Sequence, residues 1–355
     1  MVVAFYISGH GLGHASRDLE LIEALGRQRP DWTFVVRTAA PRWFFEARAP
    51  ALDVQAIQAD TGVVQIDSLR LDEAETVRRA AGFYRTFDAR AGDEARWLEA
   101  IGASLVIGDI PPLAFAAASR AGLPSVAVGN FTWDWIYGSY TAFATDAPQV
   151  LPAIREAYAR TTLALRLPLH GGFDAMPDVR DVPFIARKSE RDPRDTRRRI
   201  GIGGDRPVVL ASFGAYGAPL PYDTLAREPD FALVVAEREP PAGLKYEDLV
   251  AAADVVVSKP GYGIVSECAA NGTALLYTSR GRFAEYDVFV AEMPQLVRCR
   301  FLPQDELLAG QWRDGVHAVL AQPGPPPPRV DGAGRAADAI VALAEGRAGP
   351  STAPV

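Results

Sequence analysis

Two of the four histidines in the chain lie in one glycine-rich turn near the N-terminus. This turn, SGHGLGH at residues 8–14, directly follows the apolar run Val2–Ile7. A neutral imidazole at such a turn is suited to accept a proton, and a protonated one to hold phosphate. We predict functional roles for His14 and His10; alternatively, either ring caps the helix or hydrogen-bonds the backbone. The glycines that let the backbone turn tightly here and approach a ligand closely are Gly9, Gly11 and Gly13.

A carboxylate follows another strand-like run. Asp109 comes after Leu105–Gly108, which places it at the carboxyl end of a parallel strand, where α/β sheets bind ligands. It could activate a hydroxyl nucleophile, or it could be the N-cap of the next helix. We predict His14 and Asp109 as the catalytic candidates. Arg17, one turn into the first helix, is expected to be solvated, with an anion contact as the less favoured alternative.

An aromatic segment, NFTWDWIY at residues 130–137, follows a further predicted strand. Its rings could stack on a sugar or on a lipid-like acceptor, although such clusters more often belong to the core. Core packing gives little reason for a carboxylate between two tryptophans. We therefore place Trp133 and Asp134 on the acceptor side of the predicted site.

The second glycine-rich turn, SKPGYG at residues 258–263, lies in the second half of the chain and runs into Ser266 and Glu267. It follows an apolar run, so its backbone N–H groups would point from a helix N-terminus toward a phosphate. Glu267 could accept hydrogen bonds from both hydroxyls of a ribose. Alternatively, it could be a first-turn glutamate that the helix dipole stabilises. The donor-binding residues predicted here are Lys259, Gly261, Gly263, Ser266 and Glu267.

Two other loops complete the predicted donor side, each after a strand-like run. The loop SFGAYG at 212–217 could hold a diphosphate through backbone N–H groups, or it could be an ordinary turn. In the loop RGRFAEYD at 280–287, Glu285 could bind sugar hydroxyls and Arg280 or Arg282 a phosphate; the alternative is a solvated charged loop. From these loops we assign Ser212, Gly214, Arg282 and Glu285 to the donor.

Strand-like and helix-like segments alternate along the chain, which is typical of parallel α/β structure. The predicted strands are Val2–Ile7, Thr33–Arg37, Leu105–Gly108, Ser125–Val128, Val208–Ser212, Ala232–Val235, Val255–Val257 and Leu275–Tyr277. The predicted helices are Asp18–Arg29, Asp72–Ile101 as one helix or two, Arg194–Arg199, Tyr246–Ala253, Ile264–Asn271, Phe283–Met293 and Gly332–Gly346.

These elements predict two Rossmann-like parallel-sheet lobes facing a central cleft. The predicted segments are 1–166 (acceptor-side lobe), 167–206 (connecting segment), 207–322 (nucleotide-sugar lobe) and 323–355 (proline-rich spacer, terminal helix and tail). The first turn lacks dinucleotide and Walker-A spacing, and Arg37 stands where a ribose-binding acid would end the next strand. A nicotinamide or flavin cofactor is therefore disfavoured.

The composition is that of a globular protein long enough for two domains: 355 residues, 48% hydrophobic and 23% charged. A net charge of -7 argues against nucleic acid or an anionic membrane as a general partner. Cys268 and Cys299 form no disulfide framework or CxxC site, which favours a cytoplasmic setting. We expect no metal site, no signal peptide and no membrane span; peripheral membrane contact stays open.

Together the turns resemble the glycosyltransferase B superfamily (GT-B), whose members have two Rossmann-like lobes around a cleft. Residues 258–267 are similar to the nucleotide-sugar motif of the N-acetylglucosaminyltransferases that make lipid II. This resemblance implies that Glu267 binds the donor ribose and that His14 lies near the reacting centre.

A second resemblance extends to about residue 312. It is to the N-terminal glycosyltransferase-like region of plant-type L-arabinokinases and their bacterial relatives, in which a sugar-kinase domain follows. The present sequence ends before such a domain could fit and has no kinase phosphate loop, so we expect no kinase activity. The matching stretches are Ser8–Arg17, Ala103–Pro111, Asn130–Tyr140, Arg166–Val182, Lys259–Ala269 and Arg280–Phe289.

We therefore expect a glycosyltransferase that moves a sugar from a nucleotide-diphosphate sugar to a hydroxyl acceptor, without a cofactor or an obligatory metal. We favour inversion of configuration at the anomeric carbon, because a general base suits direct displacement of the leaving group. Two alternatives stay open. One is a module that binds a nucleotide sugar or sugar phosphate without turnover, and the other is a nucleotide-sugar epimerase on the same fold.

Overall fold

Short apolar, β-branched runs form the strands, as the sequence pattern predicts. The computed structural model of the protein describes residues 1–214, 217–236, 240–241 and 243–346. In the first half of the chain the strands are β1 (Val2–Ile7), β2 (Thr33–Thr38), β3 (Asp53–Ala56), β4 (Val64–Gln65), β5 (Leu71–Asp72), β6 (Ala103–Asp109), β7 (Ser125–Phe131), β8 (Leu163–Gly171) and β9 (Val179–Asp181). In the second half they are β10 (Val208–Ala211), β11 (Ala232–Val235), β12 (Val255–Ser258), β13 (Ala274–Tyr277) and β14 (Cys299–Phe301).

The helices between them begin and end at recognisable signals. Asp72 and Asp192 accept N-cap hydrogen bonds at the starts of two of them, and Gly272 closes another in the left-handed conformation. The helices before β10 are α1 (Gly13–Gln28), α2 (Arg42–Glu46), α3 (Glu73–Tyr84), α4 (Phe87–Ala100), α5 (Pro112–Arg120), α6 (Trp133–Gly138), α7 (Ala142–Asp146), α8 (Val150–Tyr158) and α9 (Pro193–Arg199). Those after it are α10 (Tyr222–Leu225), α11 (Tyr246–Ala252), α12 (Tyr262–Asn271), α13 (Glu285–Glu292), α14 (Gln304–Ala309), α15 (Arg313–Leu320) and α16 (Gly332–Ala344).

The first sheet is parallel and, in the described residues, has seven strands in the order β3-β2-β1-β6-β7-β8-β9. Its central strands β1, β6 and β7 are buried almost throughout, as expected for a parallel sheet with helices on both faces. The strand order reverses between β1 and β6. Such a reversal opens a crevice at the carboxyl ends of the two strands, where α/β proteins bind ligands.

The second sheet is also parallel, with the order β11-β10-β12-β13-β14 among the described residues. Its order reverses between β10 and β12. The loops that follow these two strands contain four of the predicted donor-binding residues, Ser212, Gly214, Lys259 and Gly261, so these loops start at the second reversal of strand order.

The chain divides into two compact units that do not follow the chain order strictly. The first comprises residues 1–64, 72–185 and 331–355, and the second comprises 65–71 and 186–330. Helix α16 belongs to the first unit, where Asp338 accepts a hydrogen bond from Gln28 at 2.9 Å. The hairpin segment 65–71 belongs to the second unit, where the Ser68 hydroxyl donates to the Phe213 carbonyl at 2.6 Å.

The predicted fold class, two Rossmann-like parallel sheets, is confirmed. The stretch Asp72–Ile101 forms two helices rather than one, and β1 and β11 have the predicted bounds. The segment 167–206, predicted as a connector with a helix at Arg194–Arg199, contains that helix as α9 and also the end of β8 and all of β9, which were not predicted. The terminal tail 347–355 lies outside the described residues.

Candidate active site

His14 and Asp109 meet at the reversal of strand order in the first sheet. Ile7, the last residue of β1, pairs with Asp109, the last residue of β6, and the Ser8 N–H donates to the Asp109 carbonyl at 2.7 Å. The chain then turns into α1, whose first residues are Gly13 and His14. The sheet therefore brings together two side chains that lie 95 positions apart in the sequence.

Two glycines of this turn have geometric reasons to be glycine. A Cβ on Gly9 would lie 2.9 Å from the Ala39 Cβ, too close for a carbon–carbon contact. Gly11 has φ +76°, in the left-handed region that glycine tolerates best. Gly13 begins α1. The turn is thus a tight, closely packed entry to the helix that carries His14.

His14 and Asp109 form a buried hydrogen-bonded pair. His14 Nδ1 lies 2.8 Å from Asp109 Oδ1. Arg17 approaches the same carboxylate with two nitrogens, Nε to Oδ2 at 2.5 Å and Nη2 to Oδ1 at 2.5 Å. Its Nη1 donates to Asn130 Oδ1 at 2.8 Å. The side chains of His14, Arg17 and Asp109 are at most 7% exposed.

The electrostatics of this group favour one tautomer of His14. Burial alone would raise the pKa of Asp109, but the charge of Arg17 and then that of His14 hold this pKa well below its ordinary value. Because the carboxylate is ionised, the proton in the 2.8 Å contact belongs to His14 Nδ1. In the neutral imidazole the other nitrogen, Nε2, is then unprotonated and can act as a base.

These contacts correct two of the sequence interpretations. Arg17 is not a solvated helix arginine; it is buried and binds Asp109 and Asn130. Asp109 is not a helix N-cap, because Pro111 occupies that position before α5 and the Asp109 carboxylate binds His14 and Arg17.

Asp18 is a second carboxyl group in this region, one helical turn after His14. It is 0% exposed, and within the described part of the chain no N–H or O–H donor reaches either of its oxygens. Burial, and then the negative charge of Asp109, raise the pKa of Asp18 well above its ordinary value. The geometry therefore favours a neutral, protonated Asp18.

Replacing Asp18 by asparagine is expected to make the protein relatively more stable as the pH rises above about 4. In that range the unfolded state loses the Asp18 proton while the folded state keeps it, so the wild-type free energy of unfolding falls as pH rises. The advantage of Asp18→Asn grows by at most about 1.4 kcal/mol per pH unit. Denaturant titrations between pH 4 and 8 measure it, and exposed Asp146→Asn serves as the control. A pH-independent difference would indicate that Asp18 is ionised in the fold.

The other acceptor-side candidate of the first turn, His10, has a structural role. Its Nδ1 accepts a hydrogen bond from the Val63 N–H at 3.3 Å, and its ring packs edge-on against Trp133 with centroids 5.6 Å apart. Trp133 is fully buried and donates from Nε1 to Asp60 Oδ2 at 2.9 Å. Trp133 is thus a core residue, and the predicted stacking of its ring on an acceptor is not supported.

Asp134 is accounted for by an ion pair. It is in the first turn of α6, and its Oδ2 lies 3.2 Å from Arg155 Nε in α8.

Asp60, the carboxyl group that accepts from Trp133 Nε1, was not singled out from the sequence. Burial raises its pKa, opposed by a hydrogen bond from Ser8 and by the charge of His14.

In the second unit, two of the three predicted donor loops, 212–217 and 258–263, start at the reversal of strand order between β10 and β12. The Ser258 hydroxyl donates to the Ser212 carbonyl at 2.5 Å, which joins the two loops. The Ser212 hydroxyl lies 2.6 Å from the Tyr246 hydroxyl. Gly214 belongs to the described residues of the first loop, whereas Ala215 and Tyr216 of the same loop lie outside them.

Two cationic side chains lie at the turn after β12. Lys259 Nζ contacts Gln65 Oε1 at 3.3 Å, and Arg280 Nη1 donates to the Pro260 carbonyl at 3.2 Å. Burial, and then the charge of Arg280, lower the pKa of Lys259 to about 7. Gly261 lies beside the Arg280 guanidinium, at 3.7 Å for a Cβ in its place. Two cationic side chains at one turn suit an anion such as a diphosphate.

The remaining donor-side candidates differ in their positions. Arg282 is exposed, so Arg280 rather than Arg282 is the arginine at the turn. Glu285 is buried in the first turn of α13. The Ser266 hydroxyl donates to the Gly263 carbonyl at 2.9 Å within α12, which is a structural role.

Glu267 is buried in α12 beside a partner that the sequence did not single out. Arg187 Nε donates to Glu267 Oε1 at 2.6 Å. Sequence reasoning missed Arg187 because it lies in a charge run that reads as a solvated connector. Asn130 was likewise seen only as the start of an aromatic segment.

Among the described residues no group of three or more His, Cys, Asp or Glu side chains is arranged to hold a metal ion. No helix in the same part of the chain is both long and apolar enough to cross a lipid bilayer.

Comparison with solved structures assigns the fold to the GT-B class. The glycosyltransferase of kitacinnamycin superposes with a TM-score of 0.62 at 16% identity, covering 96% of this chain and 98% of its own. The calicheamicin glycosyltransferase CalG4 superposes with a TM-score of 0.61 at 15% identity, covering 98% of this chain and 99% of its own. A Listeria monocytogenes structure assigned as a UDP-N-acetylglucosamine 2-epimerase superposes with a TM-score of 0.56 at 12% identity, covering 100% of this chain and 99% of its own.

The resemblances inferred from the motifs are confirmed by sequence comparison. The chain is 31% identical over 336 residues to L-arabinokinase of Arabidopsis thaliana, covering 88% of this chain but only 31% of that protein. It is 25% identical over 308 residues to a UDP-N-acetylglucosamine–N-acetylmuramyl-(pentapeptide) pyrophosphoryl-undecaprenol N-acetylglucosamine transferase of Clavibacter michiganensis, covering 78% and 76%. No protein-family model matches the chain.

Proposed function

We propose that the protein is a glycosyltransferase that moves a sugar from a nucleotide-diphosphate sugar to a hydroxyl group of a small-molecule acceptor. The observation that carries the proposal is the buried His14–Asp109 pair at the reversal of strand order in the first sheet of a GT-B fold. A base held in one tautomer by an ionised carboxylate is the arrangement that hydroxyl activation needs. The similarity to a curated N-acetylglucosamine transferase over 78% of the chain supports the same reaction class.

In the proposed reaction His14 Nε2 accepts the proton of the acceptor hydroxyl as its oxygen attacks the anomeric carbon. The bond between that carbon and the diphosphate oxygen breaks, and the nucleoside diphosphate leaves with the electron pair. Asp109 stabilises the imidazolium that forms, while Arg17 keeps Asp109 ionised and in place. Direct attack with a single base favours inversion at the anomeric carbon.

The second unit would bind the donor. Glu267 would accept the ribose hydroxyls, and the turn that opens α12 would offer backbone N–H groups to the diphosphate. Lys259 and Arg280 would add positive charge there, so we expect no obligatory metal. We also expect the protein to act in the cytoplasm, as its two-cysteine composition suggests. Kinase activity is not proposed, since the chain spans 31% of the length of the arabinokinase.

Donor affinity is expected to fall as the pH rises through about 7, because Lys259 loses its proton there and with it the attraction to the diphosphate. The loss approaches about tenfold per pH unit between the Lys259 pKa of the free protein and the higher pKa of the complex, and it levels off above the latter. Isothermal titration of uridine, adenosine, guanosine and cytidine diphosphates between pH 6 and 9 measures this. Lys259→Met should weaken binding at pH 6 and flatten the profile, whereas exposed Lys245→Met should not. An unchanged profile in Lys259→Met would remove Lys259 from the donor site.

A thermal-shift screen against nucleotide sugars tests the proposed donor class. A nucleotide sugar present at 100 times its dissociation constant is expected to stabilise the folded protein by about 2.7 kcal/mol. If no nucleotide sugar or nucleoside diphosphate raises the melting temperature, the proposed donor class is wrong. The 2-epimerase on the same fold favours a second candidate, which would alter the donor sugar in the absence of any acceptor.

A further inference from the structure

The proposed ribose ligand Glu267 belongs to a buried ionic cluster with Arg187 and Glu247. Besides the 2.6 Å bond from Arg187 Nε, the Nη2 of the same guanidinium contacts Glu267 Oε1, and Nη1 lies 3.5 Å from Glu247 Oε2. The three side chains are 11%, 5% and 8% exposed for Arg187, Glu267 and Glu247. One guanidinium therefore serves two buried carboxylates.

The backbone that carries Arg187 is fixed to the same helix as Glu267. Asn271, at the end of α12, donates from Nδ2 to the Arg187 carbonyl at 3.0 Å and to the Glu267 carbonyl at 2.8 Å. Its Oδ1 accepts from the Ser189 N–H at 2.9 Å, and the Ser189 hydroxyl donates to Asp248 in α11 at 2.6 Å. The segment that follows the first unit is thus attached to both helices of the cluster.

The position of the guanidinium is restricted on its other side too. Arg187 Cζ lies 5.0 Å from the centre of the Tyr246 ring, and the Tyr246 hydroxyl lies 2.6 Å from Ser212 in the loop after β10. A guanidinium stacked on an aromatic ring and bound to a carboxylate loses little further freedom when a ligand binds. Glu267 is consequently presented by a preorganised group of side chains.

Removing the charge of Arg187 would take away the cation that the buried carboxylates of Glu247 and Glu267 share, which is costly in a buried site. It would also remove the two nitrogens that contact Glu267 Oε1. A Glu267 side chain that is no longer held there cannot present both of its oxygens to two hydroxyls in a fixed orientation. The orientation of Glu267 therefore depends on Arg187.

We infer that Arg187 is a positioning residue that gives the donor site its preference for ribonucleotides over 2′-deoxyribonucleotides, by holding Glu267 ready for the ribose hydroxyls. This inference rests on the proposed function, because it requires a nucleotide donor at Glu267. A hydrogen bond to a charged carboxylate implies a preference of about ten- to hundredfold for the 2′-hydroxyl.

Isothermal titration of the full-length protein with uridine, adenosine, guanosine and cytidine diphosphates and their 2′-deoxy counterparts tests the inference. The variants are Arg187→Met, Arg187→Lys and Glu267→Gln. Arg197→Met is the matched control, because Arg197 pairs with Asp254 in the same unit at 2.9 Å, away from Glu267. We expect Arg187→Met and Glu267→Gln to reduce the ribose preference below about threefold, Arg187→Lys to keep part of it, and Arg197→Met to keep all of it.

The outcomes separate the inference from the proposed function. If no ribonucleoside diphosphate binds the wild type, the proposed function fails and the inference fails with it. If a folded Arg187→Met keeps the wild-type preference for ribonucleotides over 2′-deoxyribonucleotides, the inference alone is overturned. It is also overturned if the wild type binds ribonucleotides and 2′-deoxyribonucleotides equally well. Should Arg187→Met not fold, Arg187→Gln is used in its place. Glutamine is neutral, polar and similar in length to methionine, and we expect the same loss of the ribose preference.

Discussion

His14→Ala is expected to lower kcat for sugar transfer by about 10²- to 10⁴-fold, the usual contribution of a general base. Without the imidazole the proposed reaction loses Nε2, the atom that accepts the proton of the attacking hydroxyl. Affinity for nucleoside diphosphates should be unchanged, because the residues proposed to bind them belong to the second unit. Turnover and binding are measured on the same preparation, by mass spectrometry of the glycoside and by calorimetry.

The matched control is His317→Ala, an exposed histidine of α15 in the second unit. It is expected to turn over at the wild-type rate. If His14→Ala also keeps wild-type kcat, His14 is not the base. A loss of nucleotide binding in His14→Ala would instead indicate a role in the donor site.

Asp109→Asn is expected to reduce both activity and stability. An amide at this position no longer holds His14 in the base tautomer, so kcat should fall by a factor similar to that of His14→Ala. It also leaves the buried Arg17 guanidinium without its counter-charge, which costs about 3–5 kcal/mol of the free energy of unfolding. Urea unfolding followed by circular dichroism measures the stability.

Asp88→Asn is the control for this second prediction. Asp88 pairs with Arg120 on the surface of the same unit, with 89% of its side chain exposed. Surface pairs contribute about 0–1 kcal/mol, so this variant should unfold close to the wild type. Equal stability of Asp109→Asn and Asp88→Asn would mean that Arg17 does not depend on Asp109.

Several strands were predictable from the sequence because their pattern is local. Val2–Ile7 and Ala232–Val235 are short apolar runs next to turn residues, and the structure reproduces their bounds. Six strands were missed: β3, β4, β5, β8, β9 and β14. Strands β9 and β14 have three partly exposed residues each at the edge of their sheets, and β8 is interrupted by Arg166 and Pro168, so none of these three is a continuous apolar run.

The individual chemistry of the site was also predictable, but its pairings were not. His14 and Asp109 each stand out after a strand, while their contact depends on the order of β1 and β6 in the sheet. Arg17 reads as a solvated helix residue because helical periodicity does not reveal that the first turn of α1 is covered by strand ends. The burial of Arg187 was not predictable either, because its partner Glu267 is 80 positions away in the sequence.

The most direct test of glycosyl transfer is to incubate the protein with a panel of nucleotide-diphosphate sugars and small hydroxyl acceptors. Released nucleoside diphosphate and new glycoside are quantified together. We predict that the wild type forms both in equal amounts and that His14→Ala forms both about 10²- to 10⁴-fold more slowly. Binding of a nucleotide sugar without release of nucleoside diphosphate, or conversion of the donor to an epimer when acceptor is absent, would contradict a glycosyltransferase.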